Sequence, residues 1–172
     1  MATRLQTRES EAKLYERDYY AWTRAQAAIL RRMRQQEAET GLDLANLAEE
    51  VEDLGRSERD AVRSQVRRII EHLLKLEYSG AREPRDSWMD TVADARAVLD
   101  DKLSPSLRRD VEAVWPRLYA QVLSKVRRAL RRFDEPDAAA ALPADCPYDL
   151  DDICRPEWYP ANRHGIADRD AP

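Results

Sequence analysis

The side chains of this chain best suited to chemistry are a carboxylate pair three residues apart, Glu50 and Asp53, and a polar series at seven-residue intervals, Glu58, Gln65 and His72. Asn46, Glu50, Asp53 and Ser57 follow at steps of four, three and four, which places them on one side of a helix. Carboxylates so spaced can hold a divalent cation when a facing helix adds a histidine or further carboxylates. Di-metal helical bundles draw these from Glu-x-x-His pairs, and with His72 and His164 as its only histidines the chain has no such pair. No metal and no cofactor is expected. The acidic row reads as a solvated face that also suits the N-terminal half of a helix dipole.

Glu58 and Gln65 interrupt an apolar stripe and His72 lies at its edge. Seven residues are nearly two helical turns, so the three share one seam. Glu58 and His72 are still about 21 Å apart along a straight helix, too far to share a metal or a proton transfer. Each needs its own partner, with Arg24, Arg96, Tyr119 and the tail tyrosines as candidates, and structural pairing ranks before ligand contact and catalysis. Arg67 and His72 also form an arginine followed after four residues by histidine, similar to the motif of HEPN ribonucleases. Five residues turn a helix by about 140°, which points Arg67 away from the seam. Basic residues cluster at Arg63, Arg67 and Arg68 and again at Arg127, Arg128, Arg131 and Arg132. They would make a nucleic-acid contact if they converged on one face. Neither a glycine-rich phosphate loop nor a nucleophile with a nearby histidine is present, so no catalytic residue is assigned.

The elements that must position these groups are helices. Only four glycines and one phenylalanine among 172 residues, with abundant Ala, Leu, Arg and Glu, predict an all-α chain. Asp18 caps a first helix carrying Tyr19, Trp22, Gln26, Ile29, Leu30 and Met33 on one stripe. Asp43 caps a second, with Leu42 and Leu47 at hydrophobic-staple spacing. Its apolar stripe includes Leu44, Leu47, Ala48, Val51, Leu54, Val62, Val66, Ile69, Ile70 and Leu73, and crosses Gly55 in phase to about Tyr78. Gly55 on that stripe predicts the close approach of another helix. After the turn around Gly80 and Pro84, Ser87 is expected to cap a third helix, with Trp88, Val92, Ala95, Leu99 and Lys102 facing inward. Ser104 and Pro105 open a fourth that runs to Phe133, with a kink or break near Glu112 to Trp115 imposed by Pro116. Periodicity is then lost through DEPDAAAALP, and Asp149 caps one short turn through Ile153. The expected architecture is an antiparallel four-helix bundle with a C-terminal extension packed across it by Tyr148, Ile153, Trp158 and Tyr159. The expected organisation is an arm over residues 1–17, one domain over 18–160 and a mobile tail over 161–172.

Asp18-Tyr19-Tyr20-Ala21-Trp22, LDLANLAEEVEDLGRSE at Leu42 to Glu58, His72-Leu73-Leu74-Lys75, Ser87-Trp88 and CPYDLDDICRPEWYP stand in that order along the chain. Together they resemble the successive signatures of the bacterial domain-of-unknown-function family twenty-nine. The resemblance covers Asp18 to Pro160 and implies an all-helical domain common in cyanobacteria and proteobacteria. It implies no activity and brings no catalytic or binding residue.

Charged residues make up 36% of the chain and the net charge is only −4, so acidic and basic side chains are interspersed as on solvated helices. No long apolar segment serves as a leader or membrane span, and the expected location is the cytoplasm, with no membrane partner. Cys146 and Cys154 match neither zinc nor redox spacing and are expected as reduced thiols. The functional expectation is a non-enzymatic helical interaction module that binds a protein partner or itself. The alternatives are a nucleic-acid binder using the arginine clusters and a HEPN-like ribonuclease at Arg67 and His72.

Overall fold

The computed structural model describes residues 13–36 and 39–167. The rest of the expected arm, residues 1–12, and the end of the expected tail, residues 168–172, lie outside the described residues. The fold is all-α, with no strand among the described residues. After a helical turn over residues 13–17 come α1 (Tyr19–Gln35), α2 (Leu44–Tyr78), α3 (Arg85–Lys102), α4 (Pro105–Ala113), α5 (Trp115–Arg132), α6 (Pro136–Ala141) and α7 (Leu150–Cys154). The expected fourth helix is α4 plus α5. It breaks at Val114, which leaves Pro116 in the first turn of α5, where no amide donor is needed. Two of the expected element assignments need correction. Helix α3 starts at Arg85, before Ser87, whose carbonyl instead accepts from Thr91 Oγ1 within the helix. The alanine run after Phe133 forms α6, entered through Pro136.

The described chain divides into two compact units. One comprises the described residues up to Ala61 with Leu103–Asp110, the other Val62–Lys102 with the described residues from Val111 on, so helix α2 contributes its first half to one and its second half to the other.

In the first unit Asp18 is buried and does two jobs. Its Oδ1 accepts from the Ala21 amide as the N-cap of α1, and its carboxylate also accepts from the Ser104 hydroxyl and from the amide and hydroxyl of Ser106. Burial works to raise its pKa, and the bonds from Ser106, Ala21 and Ser104 outweigh it, leaving the carboxyl below its usual value. Gly55 faces α1 as expected. A Cβ there would run into the Thr23 hydroxyl and lie 3.2 Å from Thr23 Cβ, and Thr23 itself is buried with its hydroxyl donated to the Tyr20 carbonyl. Asp43 caps α2 through the Asn46 amide. Leu42 and Leu47, the residues at staple spacing, are both exposed. Leu54 is exposed as well, which removes it and Leu47 from the buried stripe; Leu44, Ala48 and Gly55 are the members that turn inward.

The second unit holds the dense core. Val62, Val66, Ile69, Ile70, Leu73, Leu74 and Leu76 of α2 are fully buried, and Leu118, Tyr119, Val122, Val126 and Leu130 of α5 and Val92, Ala95 and Leu99 of α3 are buried too. Phe133, expected to end the α5 stripe, is 73% exposed because the helix stops at Arg132 and the chain turns through a left-handed Asp134. The C-terminal extension docks as expected: α6 packs on α5 and α7 on α3. Asp149 and Asp152 form a capping box on α7, and Tyr148 and Ile153 are buried. Arg96 of α3 clamps it, donating from Nε to the Ile153 carbonyl and from Nη2 to the Trp158 carbonyl, both at 2.8 Å, with its guanidinium against the Tyr159 ring.

Residues 161–167, expected in the mobile tail, close the end of α2. Asn162 Nδ2 donates to the Leu76 carbonyl at 2.7 Å and the Ser79 carbonyl at 2.9 Å, and the Arg163 amide donates to Glu77 O. His164 Nε2 bonds to Tyr78 O, and Arg85 Nη1 makes a second bond to Leu76 O. These donors meet carbonyls that a helix end leaves without intrahelical partners.

Candidate functional site

A polar concavity of the second unit lies between the second half of α2 and α5. It encloses about 370 Å³ and is lined by Ser64, Arg67, Arg68, Glu71 and His72 from α2 and by Gln121, Val122 and Lys125 from α5. Arg67 Nη1 donates to Gln121 Oε1 at 3.2 Å, tying the two helices together. Glu71 is only 7% exposed and accepts from Lys75 Nζ at 2.7 Å and Lys125 Nζ at 2.6 Å. Burial pushes the Glu71 pKa up, and the two ammonium groups more than offset it, so the carboxylate stays ionised.

His72 is half-buried, and its Nδ1 lies 2.8 Å from the Arg68 carbonyl one turn back. A carbonyl can only accept, so Nδ1 carries the proton and the neutral ring presents an Nε2 lone pair. Burial is the main cause holding His72 below its usual value; Lys75 and Lys125 act the same way, against the Arg68 carbonyl and Glu71. The imidazole is neutral at pH 7.

Arg67 and His72 therefore border one hollow, which corrects the expectation that Arg67 points away. The helix is unbroken between them, and the length of an arginine side chain lets it reach round the turn that separates their Cα atoms. Glu71 and Lys125 were absent from the expected site. Glu71 followed by Lys75 four residues on is a visible helix pair, whereas Lys125 comes from another helix and leaves no local trace.

The other candidates are scattered. Glu50 and Asp53 are exposed, and Asp53 forms an ion pair with Arg56 on its own helix. Glu58 is half-buried in the first unit. Gln65 is half-buried, and its Oε1 is enclosed without a hydrogen-bond partner among the described residues. Two groups considered as its partners are turned elsewhere, Arg96 to the C-terminal extension and Tyr119 to the Pro143 carbonyl at 2.8 Å. The two arginine groups do not share a hollow: Arg127, Arg128 and Arg131, all on α5, line a second one of about 430 Å³ with Leu123 and Ser124, and Arg127 also donates to the Leu142 carbonyl. Arg63 and Arg132 line neither hollow. Among the described residues no group of three His, Cys, Asp or Glu side chains gathers to hold a metal ion, and no helix is long and apolar enough to cross a membrane. Cys146 and Cys154 form no disulfide, and burial pushes the Cys146 thiol up to about 11, an unreactive state at neutral pH.

A third concavity, of about 680 Å³, has mostly apolar walls: Ala81, Pro84, Trp88, Ala129, Leu130 and Phe133. Lys75 lies over the Trp88 ring, and Glu135, which also lines the concavity, accepts from the Ser79 hydroxyl and the Gly80 amide.

No curated protein matches the chain. Among solved structures it is similar to an α-helical protein of unknown function from Rhodospirillum rubrum, with a TM-score of 0.73 and 26% identity over 83% of this chain and 90% of that one. The model of the domain of unknown function DUF29 matches residues 14–159, a span that holds the Asp18 cap, the long helix, the polar hollow and the docked α7. The chain belongs to the DUF29 family.

Proposed function

We propose that the chain is a non-enzymatic helical interaction module that presents the outer face of the first half of α2 to a partner protein. The observation that carries this reading is an apolar row without cover: Leu47 is 38% and Leu54 51% exposed, with Val51 between them at steps of four and three. A helix face of that kind is a groove-and-helix docking surface. Asn46, Glu50, Asp53 and Ser57 border it, so the complementary partner is an amphipathic helix whose leucine-type stripe is edged by lysine or arginine. A second copy would set acidic edge against acidic edge, which disfavours self-association through this face. The antiparallel bundle of the principal helices and a cytoplasmic location belong to the same proposal.

The test uses two synthetic helical peptides with identical leucine stripes, one edged by lysine and one by glutamate. The lysine-edged peptide is expected to bind and the glutamate-edged one to fail, with binding lost in Leu47→Ser/Leu54→Ser at unchanged helicity. Equal binding of the two peptides, or binding that survives the double substitution, would sink the reading, as would a dimer in sedimentation that the same substitutions dissolve. A capture experiment from native lysate, stained for both protein and nucleic acid, then identifies the partner.

A second reading, contact with nucleic acid, draws on the convergence of Arg127, Arg128 and Arg131 on one hollow. It requires affinity that falls steeply with salt and with Arg128→Gln/Arg131→Gln.

A further inference from the structure

The polar hollow holds more positive charge than its own carboxylate uses. Arg67, Arg68 and Lys125 line it, and Glu71, its one carboxylate, lies buried with Lys125 and Lys75 already upon it. Among the described residues the Arg68 guanidinium has no hydrogen-bond or ion-pair partner, and neither has His72 Nε2. Arg67 spends one of its five donors on Gln121. Counting Glu71 once against the three lining cations leaves two positive charges, and Lys75 raises that further.

We propose that this hollow binds a phosphate group, free or as a small phosphomonoester, gripped by Arg67, Arg68 and Lys125 with His72 Nε2 as a fourth contact. The chemistry selects this ligand over a carboxylate. A phosphate dianion matches the surplus charge, and its three terminal oxygens can accept separately from two guanidinium forks and an ammonium. The hollow, at about 370 Å³, has room for the phosphate and a small organic body. An extended nucleic-acid backbone fits less well, because the other arginine group lines a separate hollow that shares no residue with this one.

Binding is coupled to a proton. The groups facing His72 are Arg67, Arg68, Glu71 and Lys75 from its own helix and Lys125 from α5, and in their presence the empty site keeps the ring neutral. A dianion at Nε2 favours the imidazolium, which then donates to it. Affinity therefore rises as pH falls through the bound-state value of His72, and drops again where the ligand loses its second charge, near about pH 6 for a phosphomonoester.

His72 and His164 are the chain's two histidines, so both ring protons can be followed by proton NMR in the intact protein. With saturating inorganic phosphate, the His72 titration is expected to move up by about one pH unit or more while His164 stays in place. Arg68→Gln, at an exposed position that contributes nothing to the core, is expected to weaken phosphate about tenfold or more. The proposal is overturned by an unmoved His72, by equal movement of both histidines, or by undiminished affinity in Arg68→Gln. It is also overturned if a short single-stranded RNA moves His72 where inorganic phosphate does not, which would make the hollow a nucleic-acid contact.

Discussion

Helix α2 has two halves built from similar residues and treated differently by the fold. Residues 62–78 bury apolar side chains on several sides: Ile69, Ile70, Leu73 and Leu74 are consecutive or nearly so, and all are fully enclosed. Residues 44–61 bury one narrow stripe, Leu44, Ala48 and Gly55, and leave Leu47 and Leu54 to solvent. The difference lies in the neighbours. The second half has α5, α3 and the C-terminal extension within its own unit, while the first has α1 and the start of α4 within its unit. An apolar position on the helical period is thus a necessary condition for burial and not a sufficient one. Leucines that the fold leaves over become available for a partner.

The largest effect that tests this contrast is expected at Ile69→Ala. Removing a fully enclosed side chain from a packed core costs about 2–5 kcal/mol, and a lower denaturant midpoint at an unchanged slope measures it. A loss near zero would mean that the second half is less tightly packed than its burial indicates. Asn162→Ala should come next, at about 1–3 kcal/mol, because it strips donors from the Leu76 and Ser79 carbonyls and releases the amides of His164 and Ile166 from Asn162 Oδ1. Faster amide exchange confined to the last turn of α2 would sharpen the comparison by showing that this half depends on its distant cap. The smallest effect belongs to Leu54→Ala, expected within about 0.5 kcal/mol of the parent in the same unfolding experiment. A loss comparable with Ile69→Ala would refute the exposure on which the docking face rests.

How far the sequence could be read depended on how local each signal was. Asp18, Asp43 and Asp149 were legible as caps because a cap needs only a side chain and an amide two or three residues on. The break before Pro116 was legible because it is a property of the proline ring itself. Ser87 failed as a cap although its type and spacing were right. The helix starts earlier at Arg85, whose guanidinium is buried against the Leu76 carbonyl nine residues back. The tail after Pro160 looked polar and unattached, and the carbonyls left without intrahelical partners at the end of α2, which hold Asn162 and His164, could not be seen from composition. In the polar hollow, Arg67 and His72 were visible as a pair. What makes it a single electrostatic site is Glu71 buried under Lys125, an ammonium 54 residues further along the chain.

By itself the sequence determined the helical class, the positions of most helix starts, the break in the fourth helix and the family, because caps, prolines, period and ordered signatures act over a few residues or are written directly in the order of the chain. The tertiary structure alone decided which leucines of α2 are buried, what closes its C-terminal end and which charges meet in the hollow. Those outcomes depend on which surfaces a neighbouring element covers, and coverage belongs to the packed assembly of helices and to no single segment.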